Sequence, residues 1–139
     1  MTDTFPPADP AGLPPADGTL IERMGIIVGE VTPSRATGSM PVAGNTQPHG
    51  LLHGGASAVL AETLGSYAAN AHAGPGRAAV GIELNASHHR SARDGSVHAV
   101  ATALHLGSNL ASYEVVVVDD DGRRVCTARL TCMLIDVRT

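Results

Sequence analysis

Across residues 50–71 only one Asp, Glu, Lys or Arg occurs, and it is Glu62. The length of this stretch and its Ala, Leu, Val and Ser content predict a helix over 56–71, ended by Gly74-Pro75-Gly76. On such a helix Leu60, Leu64, Tyr67 and Ala71 form one apolar stripe. The opposite face ought to carry charge, yet it offers Ala58, Ala61, Glu62, Thr63, Gly65, Ser66 and Ala69. A helix this poor in charge is expected to be covered on nearly every side. A sheet covers one side. With 139 residues the chain has one domain's worth of length, so the other cover is expected to be a second copy of the chain, with Glu62 near or in the interface.

Composition points the same way. Aromatic residues make up 2% of the chain, namely Phe5, Tyr67 and Tyr113, and there is no Trp. A core of small aliphatic side chains buries little area per residue, at about 25 cal/mol per Å², and burial against another subunit is the natural supplement. Residues 1–18 carry Pro6, Pro7, Pro10, Pro14 and Pro15 and are expected to form a disordered tail, leaving 19–139 as the folded domain. A short helix is expected to start near Thr19 with Glu22 as its capping partner. Strands are expected over 26–32 and 35–42 before the long helix, and over 79–88, 96–106, 110–119 and 124–137 after it, the last four as an antiparallel meander. Asp120-Asp121-Gly122 is a hairpin turn signal. The fold class is therefore α+β.

A formal net charge of −4 provides no broad basic field for nucleic acid. No apolar run reaches membrane-spanning length, and the N-terminus lacks a basic segment followed by an apolar one, so a cytoplasmic protein is expected. Cys126 and Cys132 fall in one expected strand, on one face but too far apart for a disulfide, and read as two buried free thiols.

The helix also carries the chemistry. A lone buried carboxylate is costly unless it is paired or used, and the functional reading of Glu62 is a base or nucleophile at a cleft. Ser66 lies one turn further on, within reach of that carboxylate or of a water on it. Gly54-Gly55 at the helix start presents backbone N–H groups that favour negative charge and suit a carbonyl oxygen becoming tetrahedral. Gly55 and Glu62 share one face of the helix, a layout for acyl transfer.

These residues resemble a known family. Gln47, then Gly50-Leu51-Leu52-His53-Gly54-Gly55-Ala56, Leu60-Ala61-Glu62 and Gly65-Ser66 are similar to the hotdog-fold acyl-CoA thioesterases. More narrowly they resemble the glutamate-using branch, with its 4-hydroxybenzoyl-CoA and 1,4-dihydroxy-2-naphthoyl-CoA thioesterases; the related phenylacetyl-CoA branch typically has Asp where this chain has Glu62. The likeness continues through Val80-Gly81-Ile82-Glu83-Leu84-Asn85-Ala86, His88, Arg90-Ser91-Ala92-Arg93-Asp94-Gly95 and Leu104-His105-Leu106-Gly107-Ser108. It implies a long central helix wrapped by an antiparallel sheet, dimerised and paired again into a tetramer, with active sites shared between subunits. Glu62 would attack the thioester carbonyl or activate water. Gln47 would place the carbonyl or the water, contributed with His53 from the other subunit. His53 would orient the loop and the thioester, the N–H of Gly54 or Gly55 would hold the oxyanion, and Ser66 would hold the attacking water.

His88, Arg90 and Ser108 would contact the pantetheine and nucleotide parts of coenzyme A, with Arg93 and Asn109 as nearby candidates. Arg suits phosphate groups through planar, bidentate contacts. The acyl pocket would be lined by aliphatic side chains and Tyr67. Between Gln47 and Gly50 stand Pro48-His49, where relatives often carry an aromatic residue near the acyl group. No cofactor is implied, since coenzyme A arrives as part of the substrate, and His88-His89 lacks a carboxylate or thiol at ligand spacing for a metal. The expected activity is hydrolysis of a small aromatic acyl-CoA thioester. The rivals are a hydratase or dehydratase on the same fold, and a non-catalytic acyl-CoA binder or sensor.

Overall fold

The computed structural model describes residues 15–137. Residues 1–14, most of the expected tail, lie outside the described residues. The short helix is α1 (Leu20–Arg23), with Thr19 at its N-cap position. Its capping differs from the expected pattern: Glu22 Oε2 accepts from the Gly18 N–H at 2.6 Å, one residue before the cap, and the Thr19 hydroxyl donates to the Ala16 carbonyl.

After α1 come β1 (Ile27–Thr32) and β2 (Arg35–Pro41), then α2 (Gly54–Ala73), then β3 (Arg77–His88), β4 (Ser96–Leu106), β5 (Leu110–Asp119) and β6 (Arg124–Asp136). The six strands form one antiparallel sheet in the order β1-β2-β4-β5-β6-β3. The hotdog arrangement is present, with α2 packed against every strand.

One expectation is corrected. Only β4, β5 and β6 form a sequential meander; β3 lies at the far edge, paired with β6, while β4 pairs with β2. The link over 89–95 therefore crosses the end of the sheet instead of turning a hairpin. Hydrogen bonds fix its course: His89 N–H to the Val125 carbonyl at 2.7 Å, Leu52 N–H to Ala92 at 2.8 Å and Val42 N–H to Gly95 at 2.9 Å.

The helix–sheet interface is built from small side chains. Ala56, Ser57, Leu60, Ala61, Leu64, Gly65, Tyr67, Ala68 and Ala69 of α2 are buried, so the covered face is turned from the expected stripe. Ala71 is exposed, while Ala61, Gly65 and Ala69, assigned above to the far face, lie against the chain's own sheet. The cause is close approach. A Cβ on Gly65 would lie 2.6 Å from Leu130 Cδ2, and one on Gly38 of β2 would lie 2.8 Å from Leu64 Cδ2. Dispersion favours such contact when nothing bulky intervenes. Among the described residues no helix is long and apolar enough to cross a membrane.

Candidate active site

The start of α2 is shaped by His53. As N-cap residue, its Nδ1 accepts from the Gly55 N–H at 2.8 Å, and its carbonyl accepts from Ala56 at 2.9 Å. An accepting Nδ1 carries no proton, so the neutral ring holds its proton on Nε2. Of the two N–H groups expected to face a substrate, that of Gly55 is thus occupied, whereas that of Gly54 has no acceptor among the described residues. The His88 ring lies on the Gly54 backbone: a Cβ on Gly54 would sit 2.9 Å from His88 Nε2.

Gln47 belongs to the loop before α2, where its N–H donates to the Leu51 carbonyl at 2.8 Å and its Oε1 accepts from the His49 N–H. The end of β3 and the crossing link bring His88, His89 and Arg90 to the same place. A cavity of about 380 Å³ results, lined by Gln47, Gly54, His88 and Arg90 among others. Arg90 continues into a second groove with Arg93, Asp94 and the acidic turn of Asp119, Asp120 and Asp121. There Asp119 is held below the ordinary carboxylate range first by the Arg123 backbone N–H, and Asp120 first by the His98 side chain, 2.7 Å away.

Glu62 does not line that cavity. It is exposed on α2, eight residues beyond Gly54, or about 12 Å along the helix axis. Its carboxylate lies over β3, with Oε1 3.3 Å from where a Gly81 Cβ would be. Beneath stands Cys132 of β6, the cross-strand partner of Gly81. Burial pushes the Cys132 thiol up from its ordinary range; the Ser66 hydroxyl, close enough to hydrogen-bond the sulfur, pulls the other way, and the Glu62 charge pushes up again. Glu62, Ser66, Gly81 and Cys132 thus form one cluster, and Gln47, Gly54, His88 and Arg90 another. The acyl-transfer layout along one helix face does not close within a single chain, because an oxyanion donor must lie about 3 Å from the oxygen of the carbonyl under attack.

Ser108 and Asn109 fall at the other end of the helix. The turn that carries them is fastened there by His72 Nε2, 2.7 Å from the Gly107 carbonyl oxygen, about 27 Å along α2 from Gly54. One chain does not bring them to His88 and Arg90. Tyr67 is buried. No three His, Cys, Asp or Glu side chains gather to hold a metal ion among the described residues.

Residue-level reading overlooked Ser57, buried in the first turn of α2 and lining the cavity, and also Gly81 and Cys132. A polar side chain so close behind His53-Gly54-Gly55 was a usable signal. Gly81 and Cys132 gave none, because only sheet pairing places them under Glu62.

Comparison with known proteins agrees with this fold. The thioesterase superfamily profile matches residues 49–126, more than half of the chain. The chain is 45% identical over 119 residues to the proofreading thioesterase EntH of Cronobacter sakazakii, covering 85% of this chain and 87% of that one. It is 47% identical over 116 residues to the protein of that name in Klebsiella pneumoniae, covering 83% and 85%. Among solved structures, a thioesterase from Haemophilus influenzae superposes with a TM-score of 0.85 at 33% identity, covering 89% of this chain and 87% of that one. A mutant thioesterase from Pseudomonas aeruginosa gives 0.84 at 40% identity, covering 88% and 89%. The chain belongs to the thioesterase superfamily and is a hotdog-fold thioesterase.

Proposed function

We propose that the protein hydrolyses a small aromatic acyl-CoA thioester to the free acid and coenzyme A, in sites shared by two copies, with Glu62 as nucleophile or general base. The observation that carries this reading is the split between the two clusters. A helix N-terminus beside His88 and Arg90 suits an anionic, phosphate-bearing ligand, and the open Gly54 N–H suits a carbonyl oxygen. The carboxylate that would complete the chemistry stands about 12 Å away on the same helix. A second copy running antiparallel would set its Glu62 opposite this Gly54 and bring its Ser108 and Asn109 toward this Arg90. The unpaired edge of β3, with Ile82 52% exposed, offers such a copy a strand to pair with; a further pairing of dimers gives the tetramer. The aromatic acyl group rests on the family resemblance, and the aliphatic walls of Leu51, Leu52 and Val125 suit selection by shape. Two free thiols suit a cytoplasmic setting.

As nucleophile, Glu62 would bond to the acyl carbon as the C–S bond breaks, leaving coenzyme A thiolate and a mixed anhydride that water then opens. As base, it would take a proton from water attacking the same carbon and return it to the departing sulfur. Both routes consume one water and require no cofactor. The test is thiol release from a panel of acyl-CoA esters, with product analysis. The expected result is free acid and coenzyme A from an aromatic thioester, and a kcat for Glu62→Ala lower by about 10²–10⁴-fold, the usual contribution of a general base. Turnover of Glu62→Ala near the wild-type rate overturns the role of Glu62, and a hydrated thioester without coenzyme A release points to the hydratase.

A further inference from the structure

Gly81 has no backbone reason to be glycine. Its φ lies outside the left-handed region, where only Gly18, Gly25, Gly44, Gly50, Gly74, Gly76, Gly95 and Gly122 are found among the described residues. Within a strand, glycine weakens the sheet unless something approaches the backbone closely. Here something does. A Cβ at this position would lie 3.3 Å from Glu62 Oε1, 3.7 Å from its Cδ and 3.4 Å from Leu130 Cδ1. Directly afterwards the pairing of β3 with β6 slips by one residue, leaving Ile82 without a cross-strand partner. Such a bulge bends the strand and re-aims what lies on it. Gly81 therefore sits on the α2 side of β3 where the strand kinks, and the Glu62 carboxylate rests on its bare backbone.

We propose that Gly81 is a positioning residue for Glu62, and that the missing side chain is what lets the carboxylate lie against the sheet in its line of attack. The proposal rests on the reading of Glu62 as the reacting carboxylate. An added methyl group meets Leu130 Cδ1 at an ordinary contact distance of 3.4 Å and the exposed, rotatable Glu62 side chain more tightly at 3.3 Å, so the carboxylate gives way and the strand does not. The fold is spared and the chemistry is not: the carboxylate must give by a few tenths of an ångström, a fraction of the roughly 1 Å displacement that costs on the order of 10²-fold in rate.

The experiment compares Gly81→Ala, Glu62→Asp, the double variant and Glu62→Ala in the full chain, measuring kcat and KM by thiol release and the melting temperature. Gly81→Ala is expected to melt at or above the wild-type temperature, to keep KM within about twofold and to lose roughly 3- to 10-fold in kcat. Shortening the carboxylate relieves the contact, so Glu62→Asp should cost less in the Gly81→Ala background than alone; groups that touch are non-additive. The proposal is overturned if Gly81→Ala keeps kcat within about twofold, if the two losses multiply independently, or if activity falls only together with the melting temperature. Loss of turnover in Glu62→Ala beside an unchanged Gly81→Ala removes the seat alone, whereas full turnover in Glu62→Ala removes the catalytic reading and the seat with it.

Discussion

Tyr113 and Pro33 stand eighty positions apart and share a hydrogen bond: the phenol, fully buried, donates to the Pro33 carbonyl at 2.6 Å. Burial, helped by the charge that Cys132 carries once ionised, pushes its ionisation up from 10.0 to about 12. A group that holds its proton more tightly when folded contributes stability below its unfolded pKa and loses it as pH rises through the folded value. The protein is therefore expected to lose stability between pH 10 and about 12, with Tyr113→Phe flattening that part of the profile. At pH 7 the same substitution should cost about 0.5–1.5 kcal/mol, because the hydrogen bond to the Pro33 carbonyl is lost; urea melts across pH check both. The sequence showed that two rings serve the folded part, but not which of them is a cross-brace. Contacts so distant in the chain leave no local pattern. The positions of His53, Gly54 and Glu62 at the start and along one helix were legible from local spacing, whereas Gly81 and Cys132 became neighbours of Glu62 only through pairing.

Among the elements, α2 was legible in extent and less so in orientation. The expected span of 56–71 fell within Gly54–Ala73, and most strand limits agreed within about two residues, because turn residues punctuate them. Leu60, Leu64 and Tyr67 are covered as expected, but the place of Ala61, Gly65, Ala69 and Ala71 was misjudged, because alanine and glycine suit either side of a helix, and which side they take is decided by how closely the sheet approaches. Gly65 tests that account. Alanine is a better helix former by about 1 kcal/mol, but its Cβ would stand 2.6 Å from Leu130 Cδ2, and Leu130 is fully buried. Overpacking costs roughly 1–3 kcal/mol, so Gly65→Ala is expected to lower the melting temperature against its helix propensity. Calorimetry decides; an unchanged or higher value would mean that Leu130 has room to move. The place of β3 was misread for another reason. Short links suggest hairpins, and nothing in residues 89–95 announces a crossing.

The whole molecule returns to the charge-poor helix and the low aromatic count, both of which asked for a second copy. Within one chain Glu62 is exposed and the Gly54 end of α2 lies turns away, so the proposed site needs two chains. Mixing decides whether it does. Glu62→Ala and Gln47→Ala should each be weak alone, yet a hybrid dimer regains one intact site, with Glu62 from one copy and Gln47 from the other. Co-refolded mixtures are expected to recover up to about a quarter of wild-type activity, one intact site in each of the half of the dimers that are hybrid under statistical pairing. No recovery despite subunit exchange would put both residues in a site of one chain.

The link that carries His89, Arg90 and Arg93 runs from β3 to β4, and β6 and β5 lie between them. It must span three strand spacings of about 4.8 Å each, some 14 Å, with seven residues that reach about 25 Å at full stretch, while staying tied at Ala92 and Gly95. Its length is therefore a property of the architecture. Substitutions along it leave the span intact, but a deletion of more than a few residues would part the sheet.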